Sequence, residues 1–298
     1  MQIEKDLLFD LAQKSDIDLV GAVDLKLFAE MGKKLSVFKN IPMAFFSGKL
    51  SDRFDASKEW SKTKGIISFA LSYNSSLDLN CFDKEHLCIS KASYGKDYHV
   101  VLKAKAENFM QKFCKIYPCE YKIYADTGLL SDRALAYCAG IGFYGKNNFI
   151  INERFGSFIF LGHILIDIKL EAHTEPLQRK CGQCEKCLRA CPQKAYEKGK
   201  PLNFEKCISY LTQRGKPYFE TNYIYGCDVC QNVCPFNAKA PRDLHEEFLP
   251  DFESVCINFD EIESMSEELF YRKYGECALC WRGIKTLKKN AQTVKSRS

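Results

Sequence analysis

Eight cysteines recur at short, regular intervals in the second half of the chain. In the first run, three cysteines are separated by two residues each, and a fourth follows after three residues, directly before Pro192. This C-x2-C-x2-C-x3-C-P spacing is typical of bacterial ferredoxins, whose thiolates bind [4Fe-4S] clusters. The second run ends in the same way before Pro235 but lacks one cysteine, and Cys207 between the runs supplies it. Two such clusters need eight thiolates, so the spacing predicts two [4Fe-4S] clusters.

In this spacing, the cysteine that precedes proline binds the other cluster of the pair. We therefore assign to the first cluster Cys181, Cys184, Cys187 and Cys234. We assign to the second cluster Cys191, Cys207, Cys227 and Cys230. A pair of zinc knuckles is the alternative, because C-x2-C pairs also bind zinc, but zinc sites do not call for two C-x3-C-P endings.

The remaining cysteines are expected to fill core or surface positions, where cysteine behaves as a small apolar residue. They are Cys81, Cys88, Cys114, Cys119, Cys138, Cys256, Cys277 and Cys280. The last two form a C-x-x-C pair, but no second pair is left to complete a site, so we assign them no metal.

Length and composition are those of an ordinary globular protein. The 298 residues are 46% hydrophobic, enough for one large domain with a smaller one. Sixteen cysteines in a chain of this size favour cluster ligation over a disulfide framework. No stretch is apolar enough for a transmembrane helix, and the charged start MQIEKDLLFDLAQK is unlike a signal peptide. We therefore expect a cytoplasmic protein without membrane contact.

Alternating helix and strand patterns predict an α/β domain over residues 1–172. A helix leading into a strand is predicted within 2–23, further strands at 65–73 and 157–168, and helices at 97–116 and 129–139. The polar run EAHTEPLQRK marks the start of a ferredoxin-like α+β domain at 173–245. A helical extension with a basic tail follows at 246–298.

Several further motifs together resemble the epoxyqueuosine reductase family. They are SYGKDYH (93–99), YADTGLLSDRALAYCAGIGFYGKNN (124–148), GSFIFLG (156–162), CISYLT (207–212) and GCDVCQNVCPFN (226–237). The family reduces the epoxide of epoxyqueuosine, at the wobble position of tRNA, to the alkene of queuosine. The resemblance implies that reaction here, with a cobalamin-binding α/β domain related to that of reductive dehalogenases and a ferredoxin-like domain with two [4Fe-4S] clusters.

The resemblance also implies roles for particular residues. Asp126 is the implied proton donor. The implied cofactor contacts are Arg53, Tyr94, Asp97, His99, Lys146, Asn147, Asn148, Ser209, Gly226 and Asp228. Tyr98 offers a further stacking face, and the glycines of IGFYGKNN permit close backbone approach. The alternatives are a helix cap or Asx-turn at Asp126, a structural histidine at 99 and a solvated turn at 146–148.

The chemistry explains why these cofactors belong together. Removing the epoxide oxygen takes two electrons and protons, and attack on carbon needs a nucleophile stronger than any side chain. Reduced cobalamin is such a nucleophile, and the clusters would pass it electrons from an external low-potential donor of the flavodoxin or ferredoxin type. Asp126 must then be protonated near neutral pH, which requires burial or a nearby negative charge to raise its pKa.

A net charge of +5 is compatible with a polyanionic partner such as tRNA. The basic clusters that would meet phosphates are Arg179, Lys180, Lys186, Arg189, Lys194, Lys198, Lys200, Lys285, Lys288 and Lys289. Many family members carry C-terminal helical repeats that grip tRNA. This sequence stops before them, so the resemblance implies a short form, which we expect to be a monomer.

The sequence departs from the family pattern at several positions. Lys96 replaces arginine, Asp132 stands near the family's glutamate, and Gln213-Arg214 follows CISYLT where the family continues with Ile-Glu. Two rival functions stay open. One is a reductive dehalogenase-like cobalamin enzyme acting on a small molecule, and the other is an electron carrier whose α/β domain docks a partner.

Overall fold

The computed structural model describes residues 5–36, 49–77, 86–170, 175–197, 202–216, 218 and 221–296. Cys81, Lys198 and Lys200 lie outside them.

The strands are β1 (Leu19–Ala22), β2 (Gly65–Ser72), β3 (Cys88–Ile89), β4 (Tyr121–Tyr124), β5 (Phe143–Tyr144), β6 (Ile150–Ile151), β7 (Ile159–Ile166) and β8 (Tyr223–Tyr225). The first helices are α1 (Lys5–Gln13), α2 (Leu25–Ser36), α3 (Ala56–Glu59), α4 (Tyr98–Ile116), α5 (Asp132–Cys138) and α6 (Lys186–Ala190). The later helices are α7 (Ile208–Arg214), α8 (Val229–Asn232), α9 (Pro235–Lys239), α10 (Phe252–Val255), α11 (Phe259–Ser264), α12 (Glu267–Tyr274) and α13 (Gly283–Lys295). Short 3-10 helices occupy Leu50–Phe54, Lys91–Ser93, Phe204–Lys206, Glu246–Phe248 and Ala278–Arg282.

A four-stranded sheet in the order β1-β2-β7-β4 forms the centre of the α/β part. All three pairings are antiparallel. Strand β2 is buried along its whole length, and its side chains alternate between two cores. Ile67, Phe69 and Leu71 face a core with α1 and α4, whereas Ile66 and Ala70 face a core with α2 and α5. Helices on both faces therefore bury the sheet, which explains its continuous apolar sequence.

The cysteine-rich segment is joined to the sheet part by a small parallel pair. Strand β3 pairs with β8, and both strands share a core with α7, α11, α12 and α13. Residues 87–94 therefore pack with residues far beyond them in the chain. The domain boundaries at 173 and 246 stay a prediction.

The predicted α/β class is confirmed, and so are α1 followed by β1, the strand β2 and the helix α4. The segment 157–168 contains one strand, β7. The helix predicted at 129–139 starts only at Asp132, with Ser131 as its N-cap. Leu129 is instead held in a loop, because its backbone N–H donates to the Glu59 carboxylate.

None of the helices in the described part of the chain is both long and apolar enough to cross a bilayer.

Candidate functional site

The eight cysteines of the two motifs collect in two groups of thiols. Burial raises the pKa of Cys187, and the neighbouring charges of Cys181, Cys234 and Cys184 raise it further. Burial likewise raises the pKa of Cys230, together with the charges of Cys207 and Cys191. Cys227 lies beside Cys230 and Cys207. Neighbouring thiols thus fall into the same two sets of four that the spacing assigned, and their binding of two clusters stays a prediction.

Helix starts position several of these thiols. Cys207 is the N-cap of α7, and Cys234 is the N-cap of α9, with Pro235 in the first helical position. Backbone N–H groups of Ser209 and Tyr210 point at the Cys207 sulfur and partly offset the rise in its pKa that burial causes. Such N–H groups stabilise a thiolate.

Buried thiols this close together favour their neutral forms, because each thiolate would repel the next. A bound iron cluster supplies the positive charge that makes four thiolates stable. Within the described residues, no three His, Cys, Asp or Glu side chains lie close enough together to hold a single metal ion. A [4Fe-4S] cluster is larger than one ion, and its thiolates bind different iron atoms.

Asp126 follows β4 after one residue and adopts a left-handed backbone conformation, with a φ of 52°. Aspartate tolerates this conformation better than most residues. The loop after it is pinned to the segment 50–59, because the Ser131 backbone N–H donates to the Arg53 carbonyl at 3.1 Å. Asp126 is therefore not the N-cap of α5, and the helix-cap alternative is wrong.

The carboxylate of Asp126 is hydrogen-bonded to Tyr98, the first residue of α4. The Tyr98 hydroxyl donates to Oδ2 of Asp126 at 2.7 Å. The Tyr98 ring is stacked between Phe160 of β7, at 4.4 Å between centroids, and His99, at 4.0 Å. Burial and the neighbouring carboxylate hold the pKa of Tyr98 far above its ordinary value, so this hydroxyl remains a donor.

The surroundings of Asp126 raise its pKa above the ordinary value. The residue keeps exposed surface, but protein atoms crowd its carboxylate, and this desolvation is the largest cause. The Tyr98 hydrogen bond opposes the rise, and the charge of Asp132 reinforces it. Neighbouring charges and burial are the effects that keep a carboxyl group protonated towards neutral pH.

Asp132 and Arg53 complete this charged environment. Oδ1 of Asp132 lies 2.7 Å from Nδ1 of His163, a fully buried residue of β7 whose ring stacks on Tyr124. Burial lowers the pKa of Arg53, and the charges of Asp132 and Asp126 oppose that change. The predicted residue Arg53 is thus brought into electrostatic range of the predicted proton donor.

The loop 146–148 lies between the α/β part and the cysteine segment. The Lys146 ammonium donates to the Gly182 carbonyl at 2.8 Å. The Tyr196 hydroxyl donates to the Asn147 carbonyl at 3.0 Å and also contacts Cys230 of the second thiol group. Nδ2 of the buried Asn147 has no hydrogen-bond partner among the described residues. Lys146 and Asn147 therefore contact the cysteine segment, and Asn147 is buried, whereas Asn148 is exposed as the solvated-turn alternative predicts.

The other predicted cofactor contacts have structural partners of their own. Asp97 is the N-cap of α4 and accepts hydrogen bonds from the His99 backbone at 2.9 Å and from its ring at 2.7 Å. Tyr94 is buried in the core shared by β3 and β8. Asp97 and Tyr94 therefore stabilise the fold, and their binding to a cofactor stays a prediction.

Ser209, Gly226 and Asp228 lie around the second thiol group. Asp228 is buried and accepts hydrogen bonds from the Ser90 hydroxyl at 2.6 Å and the Lys91 backbone N–H at 2.7 Å. Gly226 has a φ of 69°, and a Cβ atom there would lie 2.4 Å from Cβ of Ser90. Both residues therefore fasten the cysteine segment to residues 90–91.

Several residues of the site carried no usable signal in the sequence. His163 lies within an apolar strand, and Arg133 lies in a helix, yet both face the charged cluster around Asp126. Tyr225 of β8 is also close, since the charges of Asp97 and Asp126 affect its pKa. Only the folded chain brings these distant positions together.

Comparison with protein families gives two matches. The family described as "Epoxyqueuosine reductase QueG, DUF1730" matches residues 53–127. The family described as "4Fe-4S double cluster binding domain" matches residues 180–237. The second match favours iron–sulfur clusters over the zinc-knuckle alternative for the two thiol groups.

Comparison with individual proteins gives long alignments. The epoxyqueuosine reductase of Bacillus anthracis is 34% identical over 97% of this chain and 79% of its own length. That of Staphylococcus aureus is 32% identical with the same coverage. A crystal structure of an epoxyqueuosine reductase with an epoxyqueuosine-modified tRNA-Tyr stem–loop superposes with a TM-score of 0.88. It is 31% identical over 97% of this chain and 80% of that chain.

The crossed pairing of the thiols is open to test by iron analysis of anaerobically purified variants. We expect Cys181→Ser to lose one cluster and keep roughly four iron atoms. Cys181→Ser combined with Cys234→Ser should lose no more iron, because both ligands serve the same cluster. Cys181→Ser combined with Cys191→Ser should lose nearly all of it.

Cys114→Ser serves as the control, because its thiol contacts Cys119 and neither thiol group. It should keep the iron content of the wild type. Near-complete loss of iron from the Cys181 and Cys234 double variant would show that the pairing is not crossed.

Proposed function

The chain belongs to the epoxyqueuosine reductase family, and we propose that it reduces epoxyqueuosine to queuosine at the wobble position of tRNA. The observation that carries the proposal is the carboxyl group of Asp126, which has a raised pKa and is held by Tyr98. Arg133 connects these features, because its charge acts on both Asp126 and Cys207. The proposed proton source and the second thiol group thus lie within the electrostatic range of the same arginine.

We propose that the organic cofactor of this site is cobalamin. The corrin ring carries side-chain amides, and the buried Nδ2 of Asn147 is a donor that a bound amide carbonyl would satisfy. Arg53, Asn148 and His99 lie on the surrounding segments and would contribute further polar contacts. When bound and reduced, cobalamin supplies the nucleophile that no side chain provides.

The two thiol groups suit the delivery of electrons. The second group, with Cys207 and Cys230, contacts the loop 146–148 through Tyr196 and lies within the range of Arg133. The first group packs around Cys234 against Phe143 and Ile151. We propose that electrons enter through the first cluster and leave through the second.

Asp126 then acts on the oxygen of the opened epoxide. Desolvation raises its pKa and so favours its protonated form, and the Tyr98 hydroxyl donates a hydrogen bond to Oδ2. This geometry leaves Oδ1 to give its proton to the leaving oxygen, as a general acid does. With two electrons delivered through the clusters and two protons, of which Asp126 supplies one, the epoxide oxygen leaves as water and the alkene remains.

The proposed reaction also suggests an electron donor, an oligomeric state and a location for the protein. We propose an external low-potential donor of the flavodoxin or ferredoxin type, a monomeric enzyme and a cytoplasmic location, where tRNA is modified. The residues that bind the tRNA backbone would be among the basic groups of the second half. Arg179 and Lys180 already have protein partners, because Arg179 donates to the Tyr144 carbonyl and Lys180 pairs with Glu153.

The proposal predicts turnover of a defined substrate. Holoprotein prepared anaerobically with cobalamin and a strong one-electron reductant should convert epoxyqueuosine in tRNA to queuosine, detected by mass spectrometry of the nucleosides. Asp126→Asn should lower this rate by about 100-fold or more and keep iron and cobalamin bound. Asp167→Asn, which removes a carboxylate at the far end of β7, is the matched control.

Two outcomes would contradict the proposal. Full activity of Asp126→Asn would remove its role as the proton donor. Loaded protein that leaves tRNA untouched would favour the small-molecule rival, whereas protein that binds clusters and no cobalamin would favour the electron carrier.

The pH profile tests the contact between Tyr98 and Asp126. Activity should fall as the pH rises through the pKa of Asp126, because only the protonated acid donates. The Tyr98 hydrogen bond lowers this pKa, so Tyr98→Phe should move the fall to higher pH. The loss of positioning should also reduce kcat about three- to tenfold at the optimum.

Tyr117→Phe is the control, because Tyr117 caps the opposite end of α4. It should keep the wild-type profile. An unchanged kcat and pH profile in Tyr98→Phe would show that the hydroxyl does not act on Asp126 during turnover.

A further inference from the structure

Trp281 is the most exposed of the large apolar side chains in the described part of the chain, with 73% of its surface accessible. It lies in the 3-10 helix Ala278–Arg282, and the guanidinium carbon of Arg282 is 5.4 Å from the centroid of its ring. A single exposed apolar residue is normal on a protein surface. An exposed tryptophan beside an arginine and near a candidate reaction site, however, suggests a binding role.

The base of this helix is fixed beside the candidate site. The Tyr225 hydroxyl donates to the Ala278 carbonyl at 3.1 Å, and the Asp97 backbone N–H donates to the Glu276 carbonyl at 2.6 Å. Tyr225 also lies within the electrostatic range of Asp126 and Arg282. Trp281 is therefore held near the edge of the region that contains the proton donor.

Positive charge continues from Trp281 across the ends of two helices. The guanidinium of Arg282 lies 3.5 Å from the Gln213 side-chain oxygen and feels the charge of Arg214. At Gly215, which ends α7, a Cβ atom would lie 3.4 Å from Cδ of Lys289 on α13. We call Trp281, Arg282, Arg214, Lys216 and Lys289 the Trp281 surface.

This combination has the properties of a surface for single-stranded nucleic acid. Aromatic faces stack on unpaired bases, and lysine and arginine neutralise phosphates. Sequence-specific RNA binding usually targets loops whose bases are unstacked in this way. Lysine is depleted at protein–protein interfaces, and two cations of this surface, Lys216 and Lys289, are lysines.

Building on the proposed function, we infer that Trp281 stacks on an unpaired anticodon-loop base next to the wobble nucleotide, while Arg214, Lys216 and Lys289 face the loop phosphates. The stacked base would hold the loop in place while the wobble nucleotide leaves its own stack and reaches Asp126. Trp281 would thus be a positioning residue for the substrate.

Intrinsic fluorescence gives a direct test, because the chain contains only two tryptophans. In holoprotein carrying Trp60→Phe, Trp281 is the only tryptophan. Titration with an unmodified tRNA-Tyr anticodon stem–loop, which the enzyme cannot turn over, should quench its emission. The quenching should saturate together with the anisotropy of a labelled copy of the same RNA. Binding of RNA without a change in emission would overturn the inference.

Affinity gives the second test. Trp281→Ala should weaken binding of this stem–loop about tenfold or more, and Trp281→Phe should recover most of the loss. The slope of log Kd against log salt should stay unchanged in Trp281→Ala and become smaller in Lys289→Gln, by roughly 0.7. Because Trp281 is exposed, its replacement should not disturb the fold. An unchanged iron content of the variant would verify this.

The remaining outcomes separate this inference from the proposed function. If the protein converts epoxyqueuosine in tRNA but Trp281→Ala binds and reacts normally, only the inference fails. If the stem–loop does not bind at all, the inference fails together with the tRNA substrate. If Trp281→Ala binds RNA normally and slows cluster reduction by reduced flavodoxin, the surface serves the electron donor, and the inference is wrong.

Discussion

The buried carboxylate of Asp228 holds together the two halves of the reaction centre. It lies between Cys227 and Cys230 in the chain, and its two oxygens accept hydrogen bonds from the Ser90 hydroxyl and the Lys91 backbone. The segment that follows Lys91 leads directly into α4 and Tyr98. One residue therefore fixes the position of the second thiol group relative to the residue that holds the proton donor. The parallel pairing of β3 with β8 reinforces this connection.

This arrangement meets two electrostatic requirements at once. Thiolates of a cluster need positive charge and N–H donors nearby, whereas a general acid needs an environment that disfavours its ionised form. The structure meets these two requirements in two different places. Cys207 lies at a helix start, and Asp126 lies in a desolvated region beside Asp132. The positive charge of Arg133 lowers the pKa of both Asp126 and Cys207 and so opposes part of the rise that burial causes.

The sequence predicted the features that depend on local spacing. The eight cysteines, the start of α4 near Asp97 and the buried strand β2 all follow from short-range patterns. It did not predict that Asp126 sits in a loop held by Glu59 and Arg53, because propensities alone continue the following helix to earlier residues. The contact between Ser90 and Asp228 spans 138 positions, and the placement of Trp281 also depends on distant packing. Such contacts leave no periodic signal in the chain.

Asp126 is proposed to carry one of the two protons that the reaction consumes. The most direct measurement is infrared difference spectroscopy between wild type and Asp126→Asn, both loaded with clusters and cobalamin, across a pH titration. We predict a protonated carboxyl band from Asp126 that persists above the ordinary aspartate pKa of about 3.9. A band that disappears at or below that pH would show that Asp126 is ionised under working conditions and cannot be the proton donor.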